Sequence, residues 1–296
     1  LIMSINNFVR KWLYFSVLVF LFGSAFLLIE VSLKTFPPAY IAFFRVSVAA
    51  FILHLYTKFN GYSYNFFKDN FKLLFILGLS GTTIPFYLIS YAQVTINSGE
   101  TGILVGFMPI FTIIGSHYFF KFEKLNLRKV SGFIIGFIGL FFLLINNESG
   151  INFYDNFFAK LLVISAAFFY ALNALLVKKL SNINVIPLSS CVMILSSIQL
   201  FFVLIFSYKA SGEINTVFYD SVSALLFMAV FSTAAATVIY YKIIQDYGPS
   251  FLSLVNYPIP IFAFFAGVII LGESFNFYSI ISLCLVIIGI YISQKE

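Results

Sequence analysis

WLYFSVLVFLFGSAFLLIEVSL, residues 12–33, is an apolar run in which Glu30 is the one charged side chain. A helix crossing a hydrocarbon core about 30 Å thick needs about 20 such residues, so this stretch reads as a membrane span. Arg10 and Lys11 precede it, but it is too long for the apolar core of a signal peptide and no small-residue cleavage pattern follows it. It is expected to remain as the first span. Runs of the same kind recur at about 38–57, 71–93, 99–119, 129–146, 157–178, 186–208, 220–242, 249–271 and 276–293, with the charges gathered in the gaps. The fold expected is an all-α membrane protein with ten transmembrane helices.

Composition points the same way. Of 296 residues, 61% are hydrophobic and 9% charged, where soluble domains carry about 25% charged residues; the mean hydropathy is +1.02. The formal net charge of +6 is spread over loops and forms no basic stripe for nucleic acid. Cys191 and Cys284 lie in separate apolar runs without a CxxC or a nearby His, which implies neither a disulfide framework nor a metal site. The chain has no GxxxxGK-Ser/Thr phosphate loop, no HExxH, and no Ser/His/Asp set in its spans. The reading is therefore of a non-enzyme that needs no cofactor and draws on a gradient of substrate, proton or counter-substrate.

Ten spans put both termini on one side. With the termini inside, the inner segments hold thirteen positive residues, namely Arg10, Lys11, Lys58, Lys68, Lys72, Lys121, Lys124, Arg128, Lys129, Lys178, Lys179, Lys242 and Lys295. The outer segments hold Lys34, Lys160 and Lys209, and Arg45 lies within span two. By the positive-inside rule both termini are expected to be cytoplasmic, in an inner or plasma membrane.

Two stretches of the chain read alike. Met108-Pro109-Ile110-Phe111 matches Ile259-Pro260-Ile261-Phe262, Glu123 with Asn126 matches Glu273 with Asn276, and sixteen residues after each Glu stands a glycine, Gly139 and Gly289. Each half holds five spans, an odd number, so the second half enters the membrane in the opposite sense. Inverted repeats of this kind carry substrate near the midplane and rock around it. The expected units are residues 1–148 and 149–296.

Several segments carry a family likeness: Phe22-Gly23-Ser24-Ala25-Phe26 in span one, with Phe at a position the family fills with Trp; Pro38 followed by Phe43-Phe44-Arg45; Tyr91-Ala92 and the stretch from Ser98-Gly99 to Pro109; and Gly272-Glu273. Over essentially its full length the chain resembles the EamA-type transporters of the drug/metabolite transporter superfamily. The resemblance implies two five-helix halves and secondary transport of small metabolites, often export of amino acids or related compounds. A carrier of nucleotide sugars or organic phosphates is the rival within the class, though such ligands call for several cavity cations and only Arg45 lies deep. A membrane enzyme or a non-transporting membrane protein is the rival outside it.

Candidate substrate-binding residues follow from cost. Arg45 is the most expensive, since a charge in hydrocarbon costs roughly 2.5 to 3.5 kcal/mol before pairing relieves it. Glu30, near the outer end of span one, is its expected ion-pair partner, either as part of a site or as a clamp between two helices; in the family that position is commonly basic. Glu100 opens span four, where a carboxylate suits the helix dipole. It reads as a cap or as a proton or cation site at the outer mouth. Ser24, Tyr87, Tyr91, Gln93, Asn173, Tyr240, Tyr241 and Asn256 are polar groups inside spans that need partners. Asn256 stands out, two residues before Pro258, where a proline frees a backbone carbonyl. Gly102 with Gly106, and Gly132 with Gly136, read as close helix contacts. His54 and His117 read as interfacial, and Glu123, Glu273 and Asp246 as solvated. Spans one, three, four, six, eight and nine are expected to line the path, with five and ten serving packing; the expected partners are a small-molecule substrate and the lipid bilayer.

Overall fold

A computed structural model describes residues 2–121, 126–145, 156–207, 217–266 and 277–294. Glu123, Gly272, Glu273 and Asn276 lie outside the described residues. Among the described residues the chain is helical, without a strand. Its helices are α1 (Ile2–Leu33), α2 (Pro38–Phe59), α3 (Phe67–Ala92), α4 (Ser98–Phe119), α5 (Leu127–Ile145), α6 (Phe157–Lys178), α7 (Val185–Ser207), α8 (Tyr219–Tyr247), α9 (249–266) and α10 (Phe277–Gln294). Seven of these, α1 to α4 and α6 to α8, are long and apolar enough to cross a membrane, and Ile280–Gln294 of α10 is a shorter apolar helix.

Local chemistry sets the ends. Pro38 occupies the first turn of α2, where its missing N–H costs nothing. Asn97 caps α4, its side-chain oxygen accepting from the Glu100 N–H at 2.8 Å. Between α8 and α9 stands Gly248 alone, at φ +90°, a conformation that a side chain would strain.

Four helices leave α geometry within their apolar runs. α3 contains a π turn at Leu79–Thr83 and α8 a longer one at Met228–Ala235. α4 is interrupted by a turn at Gly106 and Phe107, before Pro109, and α9 by a 3-10 turn at Leu254–Asn256, before Pro258. The prolines account for the last two, since each lacks an N–H and crowds the carbonyl four residues back. Residues 79–83 moved along by 150 fall inside 228–235, and Gly106-Phe107 falls on Asn256-Tyr257. That is the offset separating Gly139 from Gly289.

Packing repeats the same relation. α1 packs on α8 and α9, and α6 packs on α3 and α4; α2 packs on α8, and α7 on α3. Adding or subtracting five from each helix number turns one set of pairs into the other. The pairs α2·α7 and α5·α10 are their own images. In α5·α10 backbone meets backbone: a Cβ at Gly289 would lie 2.5 Å from the Gly136 nitrogen and 2.6 Å from the Gly132 oxygen, and the Ser282 hydroxyl donates to the Gly139 carbonyl at 2.6 Å. Gly106 likewise admits Leu140, so these glycines serve close packing.

The outer surface is greasy. Phe44 and Phe51 of α2 and Ile198, Phe201, Phe202 and Ile205 of α7 are exposed. In water such a band would be an aggregation liability; in lipid it is the favourable face, as expected of an integral membrane protein.

Candidate functional site

The interruptions converge on one central space. A central cavity of about 70 Å³, measured over the positions open to a water's centre, is lined by α1 through Phe22, Phe26 and Ile29, by α3 through Gly81, Thr82 and Phe86, and by α4 through Val105 and Met108. The second half contributes Tyr170 and Asn173 of α6, Ser232, Thr237, Tyr240 and Tyr241 of α8, and Val255, Asn256 and Ile259 of α9. α2 and α7 add Arg45 and Met193, two helices not expected there, while none of the described lining residues comes from α5 or α10. Since one water needs about 10 to 15 Å³ by this measure, the space takes roughly five waters. A molecule of a few heavy atoms fits as the helices stand; a larger one needs them to part.

Arg45 is 3% exposed. Its Nε donates to Thr233 Oγ1 of α8 at 3.0 Å, and the guanidinium lies 4.1 Å above the Phe86 ring. The expected ion pair with Glu30 does not form. Glu30 is exposed and accepts from the Ser98 N–H at 3.2 Å, holding α1 to the first turn of α4. Depth is the reason: Arg45 lies about 10 Å along α2 from its start and Glu30 only about 5 Å from the end of α1.

Of the other expected residues, four reach the cavity. Asn173 donates to the Leu77 carbonyl at 3.0 Å and to Ser80 Oγ at 3.4 Å. It comes close because position 81 is glycine, where a Cβ would lie 2.4 Å from its Nδ2. Tyr240 donates to the Tyr170 carbonyl at 3.4 Å, and Tyr241 lies beside it. Asn256 donates to Met108 Sδ at 3.0 Å and to the Ser253 carbonyl at 3.1 Å, joining the two interrupted helices.

The rest lie elsewhere. Ser24 bonds back to the Leu21 carbonyl, Tyr87 reaches Ser207, and Gln93 donates to the Phe26 carbonyl. Tyr91 is 49% exposed. Glu100 is not the cap of α4, a part Asn97 plays; its Oε1 lies 3.1 Å from Lys160 Nζ, with side chains 10% and 4% exposed. The contact is electrostatic, off the axis of a good hydrogen bond. Lys160, counted among outer-loop positives, is thus a buried partner joining α6 to α4. His54 stacks on Tyr64 and bonds to it at 3.0 Å, and Asp246 bonds to Lys242 at 3.1 Å.

Tyr170, Ser232, Thr237 and Thr82 were missed. The repeat held the signal for two of them: Thr82 and Ser232 are 150 apart, as are the cavity residues Val105 and Val255.

Apolar helices that would span a bilayer, broken at corresponding places around a cavity of mixed aromatic and polar lining, define a membrane transporter. The chain belongs to the EamA-like transporter family, whose model matches residues 10–145 and again 157–294. It is 29% identical to an uncharacterized transporter of Archaeoglobus fulgidus over 97% of this chain and 99% of that one. It is 25% identical to the uncharacterized transporter YoaV of Bacillus subtilis over 92% of each. The S-adenosylmethionine/S-adenosylhomocysteine transporter of Chlamydia muridarum is 22% identical, with 86% of this chain and 82% of that one aligned. A crystal structure at 13% identity matches the fold with a TM-score of 0.77 over 97% of this chain and 96% of its own.

Proposed function

We propose that the protein is a secondary carrier of ten transmembrane helices, in two inverted halves at 1–148 and 149–296, that moves a small metabolite by alternating access. The observation that carries this reading is the central cavity, lined from both halves at helix interruptions 150 residues apart. The add-five relation among packing pairs and the two matches to one family model support the duplication. An odd number of spans per half makes it an inverted one, with both termini cytoplasmic. The cargo is a small polar or amphipathic molecule, an amino acid or a relative of one, and the physiological direction is export. A relative named for S-adenosylmethionine, itself an amino acid by chemistry, agrees with that class. A single cation among the described lining residues speaks against highly charged phosphates.

Counterflow tests it. Proteoliposomes of the purified chain, loaded with an unlabelled amino acid, should accumulate the labelled form transiently. A carrier silent in counterflow across amino acids, polyamines and nucleosides would refute the reading. Single-cysteine labelling in intact cells tests topology: residues 34 and 217 should be reached from outside, and 58 and 179 should not.

A further inference from the structure

We infer that Arg45 and Ser232 form the docking point for a carboxylate group on the transported molecule, and that the cargo is a carboxylate-bearing metabolite. The inference rests on the transport reading and names the chemistry of its site.

The guanidinium offers five N–H donors. Its Nε–H is spent on Thr233, and among the described residues no carboxylate pairs with Arg45. No hydrogen bond from its Nη atoms is found among the described residues, and the described lining of the cavity beside it holds no Asp or Glu. A guanidinium taken out of water needs an opposite charge or several hydrogen bonds, and the face of Phe86 supplies only a weak substitute. Beside Thr233 stands Ser232, 1% exposed, a residue of the same cavity lining whose hydroxyl is closed off from water and has no hydrogen-bond partner among the described residues. Arg45 and Ser232 thus stand on packed helices in one cavity lining, each with a donor for which no acceptor is found among the described residues.

A carboxylate matches the planar fork with two parallel hydrogen bonds, and its single charge balances the one cation. A phosphate dianion would leave charge uncompensated. The other walls, Phe22, Phe26, Tyr170 and Tyr240, suit an apolar or aromatic remainder.

Binding to the purified full-length chain in detergent decides it, with acetate, L-threonine, L-methionine and L-phenylalanine each measured against its own carboxamide. The carboxylates should raise the melting temperature, and each amide, alike in size, should bind about 10- to 100-fold more weakly, the range for hydrogen bonds to a charged group. This comparison needs no variant. Arg45→Gln should erase the difference between acid and amide, Arg45→Lys should retain part of it because charge survives without the fork, and Ser232→Ala should weaken acids several-fold while leaving amides unchanged. Amides that bind as tightly as acids, an acid preference that survives in Arg45→Gln, or no acid-dependent shift across the panel would each overturn the proposal. Counterflow that persists for a ligand bound without Arg45 would retain the carrier and sink the docking point. Arg45-dependent acid binding with no counterflow would do the reverse.

Discussion

Breaking the Glu100–Lys160 pair by halves and then as a whole measures what joins α4 to α6. The side chains are 10% and 4% exposed and 3.1 Å apart. Removing Lys160 leaves the Glu100 carboxylate as a buried charge whose Oε1 has no hydrogen-bond partner among the described residues, which costs about 3 to 5 kcal/mol, whereas replacing both by neutral groups of similar shape is near neutral. Both residues lie in first turns, at helix ends where water can reach a displaced side chain, so the lower figure applies. Lys160→Met should lose about 3 kcal/mol, Glu100→Gln should lose less because Lys160 keeps a further contact, and the double variant should return to within about 1 kcal/mol of the parent. Trp12, the sole tryptophan, packs edge-on against Phe251 of α9 and reports unfolding in mixed micelles by its fluorescence. A double variant whose loss equals the sum of the singles would show that the two charges are solvated independently, and the reasoning would fail.

Other substitutions test the packing. Gly289→Leu forces α5 and α10 apart because its Cβ would meet backbone, not a side chain that can turn away; a loss of about 3 kcal/mol or more is expected. Gly99→Ala, where a Cβ meets only Asn97 Oδ1 at 3.6 Å, is the control and should stay within about 0.5 kcal/mol in the same unfolding measurement. Gly81→Val displaces Asn173, whose Nδ2 would lie 2.4 Å from the new Cβ; counterflow should fall at least tenfold while the protein stays monodisperse on size exclusion. Tyr257→Phe removes the hydroxyl that donates to the Phe133 carbonyl at 2.8 Å and should lower stability by about 1 kcal/mol.

Membrane class and the succession of apolar runs were legible because length and hydropathy are local properties, readable one segment at a time. The cost of Arg45 was legible for the same reason. Its partner was not, because pairing depends on depth and rotation together, and Glu30 turns toward Ser98. Tyr87 and Tyr91 follow the π turn at Leu79–Thr83, which inserts a residue and rotates what comes after by about 100°; Thr82 and Phe86 face the cavity instead. Lys160 misled because a charge two to three residues inside a helix end reads as loop-side, yet a carboxylate on another helix draws it in. Asn256 was found through Pro258, a local signal tied to backbone geometry. Ser232 has no such flag, since a serine in an apolar helix usually bonds to its own backbone, as Ser196 does to the Val192 carbonyl.

The glycine seam between α5 and α10 limits which movements are open to the molecule. With Gly132, Gly136 and Gly289 pressed backbone to backbone, sliding would first require prying the pair open. It is a fulcrum. Tilting leaves it nearly still while displacement grows along the lever arms of the remaining helices, so a covalent tie across these two helices should be tolerated where one between α1 and α8 would lock the machine.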